Sequence, residues 1–270
     1  MKHSLPRLAS FAALLCTVTS LHASTTVIDF SGTQYADNFT ETFNATMLTP
    51  NNGGVEMKNG SSAAGIATYN SSFPSAVTDD FSLKIDGKFS FISTSTFDGH
   101  SVGFFSNISG TTGYLAVFRI RTQSGVSYAD LRIFEGASTT STAVGAQVGG
   151  SGGTATLSGA SLGTTFASNT FYTFNLDVAV DTDADTISFT GSILSTDNGS
   201  VIGSFLSIVD TSPTLGGTGV GLRIGTQGGD GRITTVDNFV LSTIPEPSTY
   251  ALLGGAGALG LALMQRRKRS

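Results

Sequence analysis

Short apolar runs alternate with turn residues along the middle of the chain. The run Phe81–Asp86 alternates apolar and polar positions, Lys88–Phe91 repeats the alternation after Gly87, and Phe171–Val180 is the longest such run. A period of two indicates strands, and no stretch of this region has a convincing 3.6-residue helical period. The predicted strands are 81–86, 88–91, 102–105, 113–122, 128–135, 171–180, 186–194, 201–208, 219–224 and 232–241.

The number and spacing of these strands predict the architecture. About a dozen strands in residues 24–244 favour an all-β fold in which two antiparallel sheets pack face to face as one domain. Within 113–122, Arg119 and Arg121 fall on one face of the strand, and Phe118 and Ile120 fall on the other. The segment Ala137–Ser168 is nearly all Gly, Ser, Thr and Ala. It is read either as a long flexible insertion or as a pair of weak edge strands.

The N-terminal residues have the pattern of a secretory signal peptide. Lys2 and Arg7 precede a short apolar segment, and Ala23 is a small residue before a cut that leaves Ser24 as the first residue. We therefore predict a signal peptide over 1–23, with an N-terminal membrane anchor as the alternative. Cys16, the one cysteine of the chain, lies in this segment, so the mature protein has no thiol and no disulfide.

The C-terminal residues have the pattern of a short membrane-targeting segment. Tyr250–Met264 has no charged residue and would span about 22 Å as a helix, which is less than the hydrocarbon core of a bilayer. The four residues Arg266, Arg267, Lys268 and Arg269 follow it, and basic residues at such a position stay in the cytoplasm. We predict a single hydrophobic transmembrane helix with the body of the protein outside the cytoplasm. A buried core helix is the alternative.

Pro245, Glu246 and Pro247, then the apolar stretch and then the basic end, resemble the PEP-CTERM sorting signal of Gram-negative bacteria. The resemblance covers 245–270. It implies that an exosortase recognises Pro245–Pro247 and cuts nearby, that the protein contacts the inner membrane transiently, and that the body is delivered to the cell surface or the exopolysaccharide matrix.

Composition and charge exclude several classes of protein. Charged residues make up 12% of the chain, 34 residues are glycine, and the formal net charge is −5. Without the two ends, the body keeps eight basic and eighteen acidic residues, a net charge of about −10. This balance argues against a nucleic-acid partner and disfavours acidic polymers, whereas a neutral glycan or a Ca²⁺-bridged partner remains compatible with it.

Two segments of the body resemble concanavalin A-like (laminin-G-like) jelly rolls. These are the closing phrase Val236–Leu241 and the hairpin-like FYTFNLDVAVDTDADTISFTGSI, residues 171–193. The resemblance implies a jelly-roll sandwich in which the last strand pairs near the first.

Candidate chemistry in the body is sparse. His100 is its one histidine, and the sequence Asp98–Ser101 around it predicts an exposed turn. Asp181, Asp183 and Asp185 alternate as carboxylate ligands of Ca²⁺ do, but Thr186 and Ser192 stand where an EF-hand requires Gly and Glu. The favoured interpretation of these aspartates is a hairpin turn, with a calcium site as the weaker alternative and with no other cofactor.

The carboxylates do not form the pair that a jelly-roll glycosidase needs. Asp130 and Glu135 lie five residues apart and so face opposite sides of a regular strand. No catalytic residue is assigned on this basis, and the protein is predicted not to be an enzyme.

Three functions are compatible with the sequence. The leading hypothesis is a non-catalytic, surface-sorted protein that acts as a structural or adhesive component of an envelope or exopolysaccharide matrix. The second is a carbohydrate-binding, lectin-like module, and the third is a polysaccharide hydrolase. Because the chain has no tryptophan, the aromatic platforms for a sugar would be Tyr35, Tyr69, Tyr114, Tyr128 and Tyr172.

Overall fold

A computed structural model describes residues 24–45, 48–51, 54–59, 63–72, 80–90, 98–123, 126–150, 154–162, 166–214, 216–227 and 232–244. The predicted signal peptide, the residues 245–270 of the sorting signal and the C-terminal hydrophobic helix lie outside these residues. Within the described ranges, no helix is long and apolar enough to cross a membrane.

The described residues contain seventeen strands and two short helices. In chain order they are β1 (Thr25–Ile28), α1 (Gln34–Asn38), β2 (Phe39–Phe43), β3 (Leu48–Asn51), β4 (Gly54–Asn59), β5 (Ala63–Tyr69), β6 (Asp80–Ser90), β7 (Asp98–Ser109), β8 (Thr112–Gln123), β9 (Val126–Ser138), β10 (Ala146–Gln147), β11 (Thr154–Ser158), α2 (Gly159–Leu162), β12 (Phe171–Asp181), β13 (Thr186–Ser195), β14 (Val201–Ser204), β15 (Ile208–Asp210), β16 (Gly219–Gln227) and β17 (Arg232–Ile244).

The strands form two antiparallel sheets, which confirms the predicted β-sandwich. Sheet A has the order β14-β13-β12-β6-β17-β4-β3, with β1 paired to β17 and β15 paired to β13. Sheet B has the order β10-β9-β8-β7-β16-β5-β2, with β11 paired to β9. Residues Thr25–Ile244 cluster as one compact unit.

The first and last strands are neighbours, as the jelly-roll resemblance implies. β1 runs along the C-terminal half of β17, from Thr25 opposite Ser242 to Ile28 opposite Phe239. A bulge in β17 at Asp237 separates this pairing from that of β4, and the Asp237 carboxylate accepts a hydrogen bond from the Phe30 amide at 3.0 Å. The chain therefore enters and leaves the folded unit through adjacent strands of sheet A.

Alternation along the strands builds the core between the sheets. In β12, Tyr172, Phe174 and Val178 are buried while Thr173 and Asp177 on the other face are only partly covered, as the sequence pattern predicts. Aromatic rings from both sheets meet in this core: Phe118 of sheet B lies 5.4 Å from Phe174 of sheet A, centroid to centroid. Burial of each such ring contributes about 1.5–3 kcal/mol.

Several boundaries differ from the sequence prediction. Residues 25–69 hold five further strands, and β6 continues through Gly87 without a break. The predicted strand 201–208 is divided into β14, which ends at Ser204, and β15, which begins at Ile208. Between them, Phe205 is buried in the core and Leu206 is exposed. The low-complexity segment Ala137–Ser168 supplies the edge strands β10 and β11, so the edge-strand alternative is the correct one.

Candidate functional site

Four arginines and one aspartate lie together on the outer face of sheet B. Arg119 and Arg121 come from β8, Asp130 and Arg132 from β9, and Arg223 from β16. Each arginine belongs to the strand positions that face away from the core, because its immediate neighbours in sequence are buried between the sheets. The sequence places Arg119 and Arg121 on one face, which the structure confirms.

The carboxylate of Asp130 is the hub of three of these arginines. Arg119 donates to its Oδ2 through Nε at 3.0 Å and also through Nη2. Arg121 Nη2 donates to Oδ1 at 3.3 Å, and Arg132 Nη2 lies 4.0 Å from Oδ2. The Asp130 side chain is only 2% exposed. Its buried negative charge therefore lies within 4.0 Å of three guanidinium groups.

Arg223 is placed differently from the other three arginines. It lies opposite Ile66 of β5 on one side and opposite Gly103 of β7 on the other. Burial lowers the pKa of its guanidinium. Among the residues that the structure describes, no carboxylate forms an ion pair with Arg223. It is therefore a partly desolvated cation without a counter-charge in the described part of the chain.

A cavity of about 400 Å³ opens beside these side chains, and we call it the arginine groove. Three arginines of the cluster line it, namely Arg119, Arg132 and Arg223. Most of the other lining residues are small or apolar; they are Ala64, Gly99, His100, Ser101, Val117, Phe134, Thr142, Val144 and Thr226. The volume is within the range of about 300–1,000 Å³ that is typical of ligand pockets.

One wall of the groove comes from the loop between β9 and β10. This loop closes on itself through a hydrogen bond from the Ser138 amide to the Ala143 carbonyl at 2.9 Å. Gly145 follows with φ +75°, and a Cβ there would lie 2.0 Å from the Glu135 carbonyl oxygen. Only glycine allows this approach to β9, and the approach brings Val144 against the apolar residues of the outer face.

The electrostatics of the groove favour anions. Burial lowers the pKa of Arg121, and the neighbouring charges of Arg119 and Arg132 lower it further against the opposing effect of Asp130. The groove itself is lined by the three guanidinium groups of Arg119, Arg132 and Arg223, and no Asp or Glu is among its lining residues. A planar guanidinium can donate two parallel hydrogen bonds to a carboxylate, sulfate or phosphate. It stays protonated at neutral pH and therefore does not act as an acid or a base. This arrangement is suited to binding rather than to proton transfer.

The prediction of an exposed turn at His100 is wrong. His100 lies on β7, is 1% exposed, and faces the core opposite Ile120 and Thr226. Its Nδ1 is 2.9 Å from the Thr234 hydroxyl, and that hydroxyl donates its single hydrogen to the Gly225 carbonyl. The turn-like sequence Asp98–Ser101 is pulled into a strand because β8 and β16 pair with it on both sides.

The aspartates 181, 183 and 185 lie at the β12–β13 hairpin, as the favoured interpretation predicts. Asp181 ends β12, and its Oδ1 accepts hydrogen bonds from the amides of Asp183 at 3.0 Å and Ala184 at 2.8 Å. Asp185 has a φ of +52° within the same turn. Among the described residues, no group of three or more His, Cys, Asp or Glu side chains is arranged to hold a metal ion.

A second cavity, of about 330 Å³, is lined by Tyr114 and Glu135, and the Tyr114 hydroxyl joins Glu135 to Asp210 in an acidic pair that the sequence did not indicate. The Tyr114 hydroxyl donates to Asp210 at 2.7 Å and lies 3.4 Å from Glu135. Burial raises the pKa of Tyr114, as do the two carboxylates. Both carboxylates also accept backbone hydrogen bonds, Asp210 from Ser212 and Glu135 from Thr214. The pair therefore fastens the loop after β15 to sheet B.

Three of the five tyrosines proposed as sugar platforms are buried. Tyr35, Tyr114 and Tyr172 are at most 6% exposed and pack in the core. Tyr69 is partly covered by Phe39 and Phe239. Tyr128 is the remaining partly exposed ring; it lies opposite Arg121, whose guanidinium carbon is 5.6 Å from the ring centroid.

The sequence carried a partial signal for the groove. The spacing Arg119-Arg121 marks a basic strand face, and Asp130-Arg132 has the same spacing on the next strand. Nothing in the sequence connects Arg223 to them, because β16 reaches this face only by crossing from the end of the chain to pair with β7.

Comparisons with solved structures show similarity to legume lectins. Lectin II from Ulex europaeus has a TM-score of 0.46 at 10% identity, with 82% of this chain and 99% of that chain covered. For the legume lectin-like domain from Entamoeba histolytica the TM-score is 0.45 at 9% identity, with coverages of 78% and 92%. For the lectin from Bauhinia forficata, solved in complex with GalNAc, it is 0.44 at 13% identity, with coverages of 82% and 99%. The fold assignment itself rests on the sheet order and register above.

Comparisons at the level of sequence concern the C-terminal end. No curated protein matches the chain at a significant level. The family model of the PEP-CTERM protein-sorting motif matches residues 243–268, which begin in the last two residues of β17. This motif implies export and sorting to the cell surface. The chain thus contains an antiparallel β-sandwich over Thr25–Ile244 and a PEP-CTERM protein-sorting motif that begins in its last two residues.

Proposed function

We propose that this protein is an exported, non-catalytic component of the cell surface or exopolysaccharide matrix of a Gram-negative bacterium. The signal peptide over 1–23 would direct it through the inner membrane. An exosortase would then recognise Pro245, Glu246 and Pro247 and release the body from the transient anchor formed by the apolar segment and the basic tail. The observation that carries this proposal is the family match at 243–268, which begins in the last two residues of the last strand.

The absence of catalysis is supported by the chemistry of the arginine groove. Its ionisable lining residues are Arg119, Arg132 and Arg223, whose guanidinium groups hold their protons at neutral pH, and His100, which is 1% exposed and faces the core. The nearby Asp130 carboxylate is engaged by three arginines. Cleavage of a polysaccharide by the purified protein, lost on substitution of Glu135, would contradict this part of the proposal.

The sorting step is tested by changing its two prolines. Pro245→Ala combined with Pro247→Ala should abolish processing of the tail and delivery to the surface, because the exosortase would no longer recognise the motif. Fractionation of cells with an epitope tag in the body measures both. Pro213→Ala is the matched control, since it changes a proline in a loop of the folded unit. Unchanged processing and delivery of the double variant would refute exosortase sorting.

A second function, carbohydrate binding by the folded body, is favoured by the arginine groove. The groove has the volume of a ligand pocket and combines hydrogen-bond donors with an apolar wall formed by Val117, Phe134 and Val144. Sugars are bound by this combination of polar groups and apolar surfaces. A glycan array probed with the full chain in mild detergent tests it, and an array without any bound glycan would contradict it.

A further inference from the structure

We propose that the arginine groove binds an acidic polysaccharide through the anionic groups of its sugars. This inference rests on the proposed carbohydrate binding and adds the chemical class of the ligand. It concerns the three guanidinium groups of Arg119, Arg132 and Arg223 that line the groove.

Positive charge is concentrated on the face that holds the groove. Half of the eight basic residues of the body, Arg119, Arg121, Arg132 and Arg223, are on this one face of sheet B, although the body as a whole carries about −10. Asp130 is the one carboxylate that forms an ion pair with the cluster among the described residues. The net charge predicts that acidic polymers are disfavoured, but the arginine groove reverses the sign of the charge locally. The four guanidinium groups attract an anion to this face, although the net charge of the body as a whole is negative.

The arginines of the groove also have hydrogen-bonding capacity that the folded unit leaves unused. Burying a charged or polar group costs free energy unless it has a partner. Arg223 is partly desolvated and has no carboxylate partner in the described ranges, as its lowered pKa also indicates. Arg132 Nε is buried and has no hydrogen-bond acceptor there. An anionic group in the groove would supply acceptors to Arg223 and to the exposed part of the Arg132 side chain, of which 33% is exposed.

The groove places this charge beside an apolar wall. An acidic sugar presents an ionised group next to a ring whose C–H faces are apolar. The lining of the groove combines Arg132 and Arg223 with Val117, Phe134 and Val144. A free inorganic anion would not use the apolar wall, and a neutral sugar would accept hydrogen bonds from the arginines without neutralising their charge.

The test measures binding of three soluble polymers to the full chain in mild detergent by calorimetry at low salt. Oligogalacturonate carries carboxylates, sulfated dextran carries sulfates, and unmodified dextran is neutral. We expect binding of the uronate, the sulfated polymer or both, with little binding of neutral dextran. The first two arms identify which anionic group is preferred.

Substitutions assign the binding to the groove. Arg223→Gln and, separately, Arg132→Gln should each raise the dissociation constant about tenfold to a hundredfold. This is the effect of losing hydrogen bonds between charged partners. Lys84→Gln is the matched control, because it removes the same charge from an exposed position on sheet A and should leave affinity within about twofold. Thermal melting of each variant shows whether it is folded. The Arg132 side chain is 33% exposed, so Arg132→Gln is expected to fold and still tests the groove if Arg223→Gln is unfolded.

The outcomes separate this inference from the proposed function. Binding of neutral and acidic glycans with equal affinity, or unchanged affinity in both arginine variants, would overturn the acidic-ligand inference and leave carbohydrate binding in place. Binding of no glycan of either kind would overturn both. Tight binding of an acidic polypeptide such as polyglutamate, with weaker binding of both acidic polysaccharides, would also overturn the inference in favour of a protein partner.

Discussion

At the scale of single residues, the outer face of sheet B depends on one carboxylate. Asp130 is buried and receives hydrogen bonds from Arg119 and Arg121, with Arg132 at the margin of an ion pair. The arginine side chains keep 18–33% of their surface exposed, so water screens part of their mutual repulsion. Asp130 therefore acts as the counter-charge that lets three guanidinium groups lie side by side.

Asp130→Asn tests this role. The substitution keeps the size of the side chain, removes its negative charge and replaces one of its two acceptor oxygens by an NH2 donor, so the arginines lose their counter-charge and part of their hydrogen bonding. We expect the free energy of unfolding to fall by about 1–3 kcal/mol, the cost of leaving buried polar groups unsatisfied. Urea denaturation at neutral pH measures the change.

The matched control for this substitution is Asp183→Asn. It makes the same chemical change at an exposed position of the β12–β13 turn and should alter stability by no more than about 0.5 kcal/mol. Equal stabilities of the two variants would show that Asp130 is not the counter-charge of the cluster.

At the scale of secondary-structure elements, glycine positions set how closely the two sheets pack. On the inner face of β13, a Cβ at Gly191 would lie 2.7 Å from Leu131 Cδ2 and 2.9 Å from Phe118 Cε1, both on sheet B. Leu131 lies between Asp130 and Arg132 on β9, and Phe118 directly precedes Arg119 on β8. Their packing against β13 therefore holds the strands that carry the groove.

Gly191→Ala is expected to overpack this contact. Two rigid side chains would have to move by several tenths of an ångström, and the free energy of unfolding should fall by about 1–3 kcal/mol. Thermal or urea denaturation provides the measurement. Gly216→Ala is the control: a Cβ at this position would have no neighbour within 4 Å, so the stability should be unchanged or higher by up to about 1 kcal/mol. A Gly191→Ala variant as stable as Gly216→Ala would contradict the close packing.

At the scale of the whole molecule, the first and last strands belong to one sheet and the arginine groove to the other. β1 and β17 pair in sheet A, so the chain enters and leaves the folded unit through this sheet. The groove lies on the outer face of sheet B. The surface that we propose as the binding site is thus built by strands other than those that continue into the signal peptide and the sorting motif.

Local patterns predicted the fold better than they predicted the site. Alternation in 171–180 and 113–122 is set by neighbouring residues, so it identifies β12 and β8 and their buried faces directly from the sequence. The site depends on register between distant strands. Arg223 meets Gly103 only through pairing across more than a hundred residues, and His100 becomes buried only because strands form on both its sides. Such long-range pairings leave no periodic signal in the chain.

A crystal structure of residues 25–244 grown with an oligogalacturonate would test the role of the arginine groove most directly. We predict a sugar in the groove with carboxylate oxygens about 2.7–3.2 Å from guanidinium nitrogens of Arg223 or Arg132, and with its ring against Phe134. A sugar bound at another surface, with the groove empty at saturating ligand, would contradict this role.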